Sequence, residues 1–196
     1  MNSTVKSGAF AAIAVTALTF ASPALAEESK VTETAFIFNS LSFLIHGFMV
    51  MLMAAGFAML EAGMVRTKNV ATMCVKNIAL YSIAGILYYA VGYNLMYQGV
   101  DGGFMGTFAP WGIDDSAMAK GDFSGNYSAS SDWFFQMVFV ATAASIVSGT
   151  VAERIKLWPF LAFVVVLTGV IYPIQGSWQW GGGWLSEMGF ADFAGS

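Results

Sequence analysis

Long stretches without a formal charge, separated by short charged turns, dominate this chain. Four of them, at about 35–60, 77–97, 133–151 and 157–174, hold no Asp, Glu, Lys or Arg. Each is near the ~20 residues that cross a hydrocarbon core of about 30 Å at about 1.5 Å rise per residue. Backbone groups in lipid must pair within their own segment, so the spacing predicts four membrane helices. A lipid-facing strand would alternate apolar and polar positions, and these stretches do not.

The segment ahead of them follows a different pattern. Lys6 is followed by an apolar run from Ala9 to Phe20 and then by Ser22, Pro23, Ala24, Leu25 and Ala26. A short apolar run ending in small residues is the pattern of a secretory signal peptide, so residues 1–26 are expected to be cleaved and residues 27–196 to form the mature domain. An uncleaved anchor is the alternative, but the run is short for a spanning helix. Charge in the connections gives the orientation. Arg66 and Lys68 lie between the first two spans, and Arg154 and Lys156 between the last two. The connection 98–131 holds Asp101, Asp114, Asp115 and Asp122 against Lys120. The excess of basic residues on the cytoplasmic side places both basic turns inside and the acidic loop, with the mature N-terminus, outside. That loop is rich in Gly, Ser and aromatics (Phe108, Trp111, Tyr127) and reads as an irregular cap with interfacial anchors.

Composition narrows the function. Hydrophobic residues make up 57% of the 196 and charged residues 10%, too few charges to wet a globular surface. Eight Lys and Arg against 12 Asp and Glu exclude a nucleic-acid binder. With Cys74 and His46 the only residues of their types, no disulfide framework, cysteine zinc site or histidine dyad can be built within the chain. No catalytic constellation is visible, and neither an enzyme nor a cofactor or metal is expected.

Three ordered strings are more specific. One runs from Gly56 through Glu61, Ala62 and Gly63 to Arg66, Lys68 and Asn69. Another opens on Asp132-Trp133-Phe134-Phe135-Gln136 and closes on Gly149-Thr150-Val151-Ala152-Glu153-Arg154. The last comprises Tyr172-Pro173-Ile174, then Trp180-Gly181-Gly182-Gly183-Trp184, then Asp192-Phe193-Ala194-Gly195. In order and spacing the chain resembles the ammonium transporter (Amt/Mep/Rh) family from about residue 35 to 196. The resemblance implies an all-α membrane protein of eleven helices, of which this chain carries the first four and the approach to a fifth. It implies a homotrimer in which each subunit has its own pore, and a cytoplasmic tail that meets PII-type regulators. Phe135 and Phe139 fall on the family's pore phenylalanines, and Trp180 on the tryptophan of its outer recruitment site. Asp192 falls on the buried acid that supports that site, and Gln136 on a further family position. The family's two pore histidines sit on the fifth and tenth helices, beyond Ser196. The chain is therefore expected to be an N-terminal portion that does not transport by itself.

The same residues can be weighed by their chemistry. Phe135 and Phe139 are four apart, on one helical face, where two rings in series can form a constriction that excludes water or can simply pack. Trp180, beyond the fourth span, suits an interfacial anchor or a cation–π face for ammonium worth about 0.5–2 kcal/mol. Stripping an isolated ammonium-type ion of water costs tens of kcal/mol in a dry medium. Cation–π contacts cannot offset that, so a dry pore must deprotonate the cargo or meet it with polar groups; desolvation itself favours the neutral form. His46 does not match a pore histidine and is expected to be hydrogen-bonded packing. Glu61, Lys76 and Arg66 gather at the inner ends of the first two spans, where pairing or snorkelling accounts for them. Glu153 is expected to orient the inner turn beside Arg154. Transport of ammonium or ammonia follows, with an ammonium sensor carrying a downstream signalling domain as the alternative.

Overall fold

The computed structural model describes residues 33–110 and 112–193. The signal-peptide segment and Trp111 lie outside the described residues. Four helical stretches are long and apolar enough to span a bilayer: Glu33–Met64, Thr67–Tyr97, Ala129–Thr150 and Leu157–Ser177. In detail these comprise α1 (Glu33–Met64), α2 (Val70–Leu87), α3 (Tyr93–Tyr97), α5 (Ala129–Thr150), α6 (Leu157–Val166) and α7 (Tyr172–Ser177). Short α4 (Ser116–Ala119) lies in the acidic connection and α8 (Trp184–Glu187) follows the fourth span. No strand occurs among the described residues.

The second span begins ten residues before the charge-free window that starts at 77. Lys76, which truncates that window, is 2% exposed and lies inside the helix. Its charge is matched by Glu61 across the turn, so a polar position that should end a span is carried within one. A 3-10 turn at Thr67–Asn69 leads into α2.

Two wide turns interrupt the helices. Tyr88–Gly92 joins α2 to α3 and Leu167–Ile171 joins α6 to α7, both with π-helical pairing. Pro173 explains the second. It has no N–H, and its ring crowds the carbonyl four residues back, at Gly169, so the backbone widens just ahead of it. The two wide turns pack against each other. At that crossing Gly92 leaves room for a close approach: a Cβ there would stand 2.6 Å from the Tyr88 ring and 3.1 Å from Pro173 Cγ.

Helix α5 is the centre of the bundle, touching α1, α2 and the wide turns of both neighbouring spans. Ala141, Ala144, Ser145 and Ser148 are buried along it. Small residues let helix backbones approach where lipid removes any hydrophobic drive for helices to associate. Leu80, Ala84, Tyr88, Met96, Val138, Val140, Phe160 and Val164 fill the space around them. Helix α1 is peripheral and presents Phe38, Leu52, Met59 and Leu60 outward.

The acidic connection is ordered by specific bonds. Asp115 receives the backbone N–H of Ala129 at 2.7 Å and of Ser130 at 3.0 Å, the Ser128 hydroxyl at 3.0 Å and the Ser130 hydroxyl. A carboxylate from the loop thus closes the first turn of α5, where free N–H groups and the helix dipole favour negative charge. Elsewhere, Gly102 N–H donates to Gly182 O at 3.0 Å and Trp184 N–H to Gly103 O at 3.1 Å, stitching the loop to the turn after α7.

Candidate functional site

The face of α5 that carries Phe135 and Phe139 is built one helical turn at a time. Their ring centroids are 5.2 Å apart with planes at 75°, an edge-to-face pair rather than a parallel stack. Phe43 of α1 meets Phe135 edge-on at 5.2 Å, and Tyr127 meets Phe43 at 4.6 Å. An aromatic chain therefore runs from the loop through α1 to α5. Helix α1 comes close enough because of Gly47, whose added Cβ would stand 2.7 Å from the Phe134 ring.

One turn before Phe135, the buried carboxylate of Asp132 accepts the Tyr93 hydroxyl at 2.8 Å. Gln136 Nε2 donates to its other oxygen at 3.4 Å. Gln136 therefore stands beside the phenylalanine pair, its amide directed back toward Asp132. Sequence reasoning singled out Asp132 as part of a motif but assigned it no partner. Tyr93 is 39 positions away and on another span, so no local signal joins the two.

Trp180 lies in the turn after α7, exposed, with its backbone N–H on Gly176 O at 2.9 Å. Gly181 follows, where a side chain would run into Met96 O. The neighbouring tryptophans are occupied differently. Trp178 Nε1 donates to Phe104 O at 2.8 Å, and the rings of Phe104, Trp178 and Trp184 sit mutually 5.3 to 5.8 Å apart. They clasp the acidic connection onto the fourth span, and Trp178 spends its polar atom on the protein. Asp192 lies partly buried beyond α8. His46 is exposed, and its Nδ1 lies 2.7 Å from Ser42 O and 3.2 Å from Ser42 Oγ, within its own helix. It is hydrogen-bonded as expected, though it packs little.

At the opposite end of the bundle the charges form two separate groups. Glu61 Oε2 meets Lys76 Nζ at 3.3 Å and accepts Ser148 Oγ at 2.8 Å and Asn77 Nδ2 at 3.1 Å. Lys76 also donates to Ser148 O at 2.9 Å and lies 5.0 Å above the Phe160 ring. The node ties α1, α2, α5 and α6 at one point. Arg66 is not in it. Its Nε lies 3.2 Å from Glu153, which also accepts the Arg66 backbone N–H at 2.9 Å and Asn69 Nδ2 at 2.5 Å. Glu153 takes a left-handed φ of 59° to reach them. Its carboxyl is held below the usual range by the Asn69 amide first and the Arg66 backbone N–H next. Glu153 thus joins the two basic turns to each other. Arg154 turns back instead, donating to Thr150 O at 3.0 Å at the end of α5.

Four packed apolar helices, two of them broken by wide turns, with ionisable groups held inside, define a multi-pass helical membrane protein. The sequence profile of the Ammonium Transporter Family matches residues 41–196, and the chain belongs to that family. It is 45% identical over 167 residues to Ammonium transporter Amt2 of Archaeoglobus fulgidus, covering 78% of this chain and 33% of that protein. It is 42% identical over 158 residues to Ammonium transporter Amt2 of Haloferax mediterranei, covering 76% and 32%. Among solved structures, a Sensor Amt Protein superposes with a TM-score of 0.72 at 34% identity, over 83% of this chain and 40% of that one. The chain spans about a third of the length of these curated relatives.

Proposed function

We propose that this chain forms the first four spans of a subunit that carries ammonium or ammonia across a bacterial cytoplasmic membrane. The observation that carries the reading is the edge-to-face pair Phe135–Phe139, on the α5 face that also holds Gln136, in a chain of the Ammonium Transporter Family. In this reading Trp180, with Phe139, recruits the cation at the outer mouth. Phe135 and Phe139 form a dry gate below it, and Asp192 supports the mouth electrostatically. The basic turns face the cytoplasm and the mature N-terminus, freed of residues 1–26, faces outward. The whole protein assembles as a homotrimer and offers its cytoplasmic side to a PII-type regulator. An apolar gate excludes water but cannot stabilise a bare cation, so polar groups of the remaining pore must take the cargo beyond it.

Uptake of radiolabelled methylammonium by vesicles holding the full-length protein tests this. Saturable uptake that changes on Phe139→Ala is the expected result; absence of uptake by the wild type refutes the transport reading. The second reading is an ammonium sensor, favoured by the superposition on the Sensor Amt Protein. A wild type that binds ammonium without translocating methylammonium, and whose gene continues into a signalling domain, supports that reading instead.

A further inference from the structure

Asp132 has no role in the pathway described above, yet it is a carboxylate inside a membrane span with 3% of its surface exposed. The ion pairs among the described residues are Arg66–Glu153 and Lys76–Glu61, and Asp132 belongs to neither. The hydroxyl-bearing rings of Tyr88, Tyr93, Tyr97 and Tyr127 lie around it, and the acidic Asp115 sits on the turn just ahead of it, at Ser128, Ala129 and Ser130. Its bonded neighbours are the Tyr93 hydroxyl and the Gln136 amide, both neutral. A buried carboxylate whose bonded partners are neutral is costly unless a positive charge comes to it, and ionisable residues within spans mark ion pathways.

Its placement is specific. Asp132, Phe135, Gln136 and Phe139 occupy positions i, i+3, i+4 and i+7 of α5, which is one face of a helix. At about 1.5 Å rise per residue, Asp132 lies about 5 Å before Phe135 and about 10 Å before Phe139 along the axis. It stands at the end of α5 that Asp115 caps, ahead of the ring pair. We propose that Asp132 is a positioning residue that attracts the monovalent ammonium-type cation to the near side of the Phe135–Phe139 pair, acting through its charge rather than by contact. The inference rests on the transport reading given above. The Tyr93 hydroxyl donates to the carboxylate from the neighbouring span, and Gln136 joins it to the face carrying the rings.

The test compares methylammonium uptake by vesicles holding the full-length protein and its variants, reading KM and kcat separately. For one charge removed at this range in a medium of low dielectric, Asp132→Asn is expected to raise KM about tenfold, with kcat changed less than about twofold. Asp132→Glu restores the charge and brings KM back to within about threefold of the wild type. Tyr93→Phe removes the hydrogen bond but keeps the carboxylate, and leaves KM close to the wild-type value. Where Asp132→Asn does not reach the membrane, Asp132→Ser takes its place with the same expectation. An unchanged KM in the neutral variant overturns the inference. So does a fall in kcat alone, or a Tyr93→Phe variant that reproduces Asp132→Asn, since either makes the role structural. A wild type without uptake defeats the transport reading first, whereas a working wild type with an unshifted neutral variant defeats only this inference.

Discussion

Replacing Lys76 by Met asks how much the buried node contributes to holding four helices together. Glu61 and Lys76 are each 3% or less exposed and their charged atoms stand 3.3 Å apart. At an effective dielectric of about 20, that separation corresponds to an attraction of about 5 kcal/mol before desolvation is counted. Desolvation cancels much of it, so the pair against an apolar substitute is close to neutral, but removing one partner strands a charge and costs about 3–5 kcal/mol. Lys76→Met leaves the Glu61 carboxylate with Ser148 and Asn77 as donors. Those two neutral donors soften the loss, so about 3 kcal/mol is expected, or a fall in Tm of roughly 6–12 °C for a domain of this size. The double variant Glu61→Leu with Lys76→Met removes both charges and is expected to recover more than half of that loss. Thermal unfolding in detergent micelles, followed by tryptophan fluorescence, reads all three proteins. If Lys76→Met shifts Tm by less than about 2 °C, water reaches the pair and the low-dielectric argument fails. If the double variant is worse than the single one, the node acts through packing rather than charge.

Other perturbations reach the remaining contacts. Gly47→Val pushes a side chain into the Phe134 ring and is expected to destabilise by about 1–3 kcal/mol, with partial relief in a Phe134→Leu background, measured by the same thermal unfolding. Asp115→Ala removes the cap on α5 and costs about 1 kcal/mol, seen as faster hydrogen exchange at Ala129 and Ser130. Burial works to raise the Asp115 carboxyl, but bonds from Ser130, Ala129 and Ser128 outweigh it and hold the group below its usual range. A depressed carboxyl stabilises fully above the unfolded value of about 4 and loses that contribution as the pH falls through the folded value. Exchange at Ala129 is therefore expected to rise below about pH 4 in the wild type and to be flat there in Asp115→Ala. Trp178→Phe loses the bond to Phe104 O, worth about 1 kcal/mol, and is expected to speed proteolytic cleavage in the 98–106 stretch without shifting the main unfolding transition.

Much of the architecture was readable along the chain because hydrophobicity in a bilayer is a local property. A stretch of about 20 residues either can or cannot bury its side chains in lipid, whatever lies elsewhere. The four spans therefore follow from runs of uncharged residues, and the family from ordered strings around Gly63, Phe135 and Trp180. Where the pattern along the chain and the bundle differ, a charge has a distant partner. Lys76 closed the charge-free window at 77, while in the bundle Glu61 and Ser148 accept it and the helix starts at Val70. Glu153 orients the inner turn as expected, but does so through a partner 87 positions back, Arg66, that no local pattern names. The wide turn before Pro173 could have been anticipated from proline's missing N–H; the matching one at Tyr88–Gly92 carries no such local mark.

Composition and pattern thus establish a helical membrane protein and mark the aromatic pair on α5, since four-residue spacing on a helix is itself geometry. They do not say that the two rings meet edge to face, that Gly47 admits Phe134, or that Tyr93 holds Asp132. Those facts depend on which helix lies against which, and in lipid that choice is made by close packing of small residues and by polar groups seeking partners. Such interactions exist only once segments tens of residues apart have met, so only the folded bundle decides them.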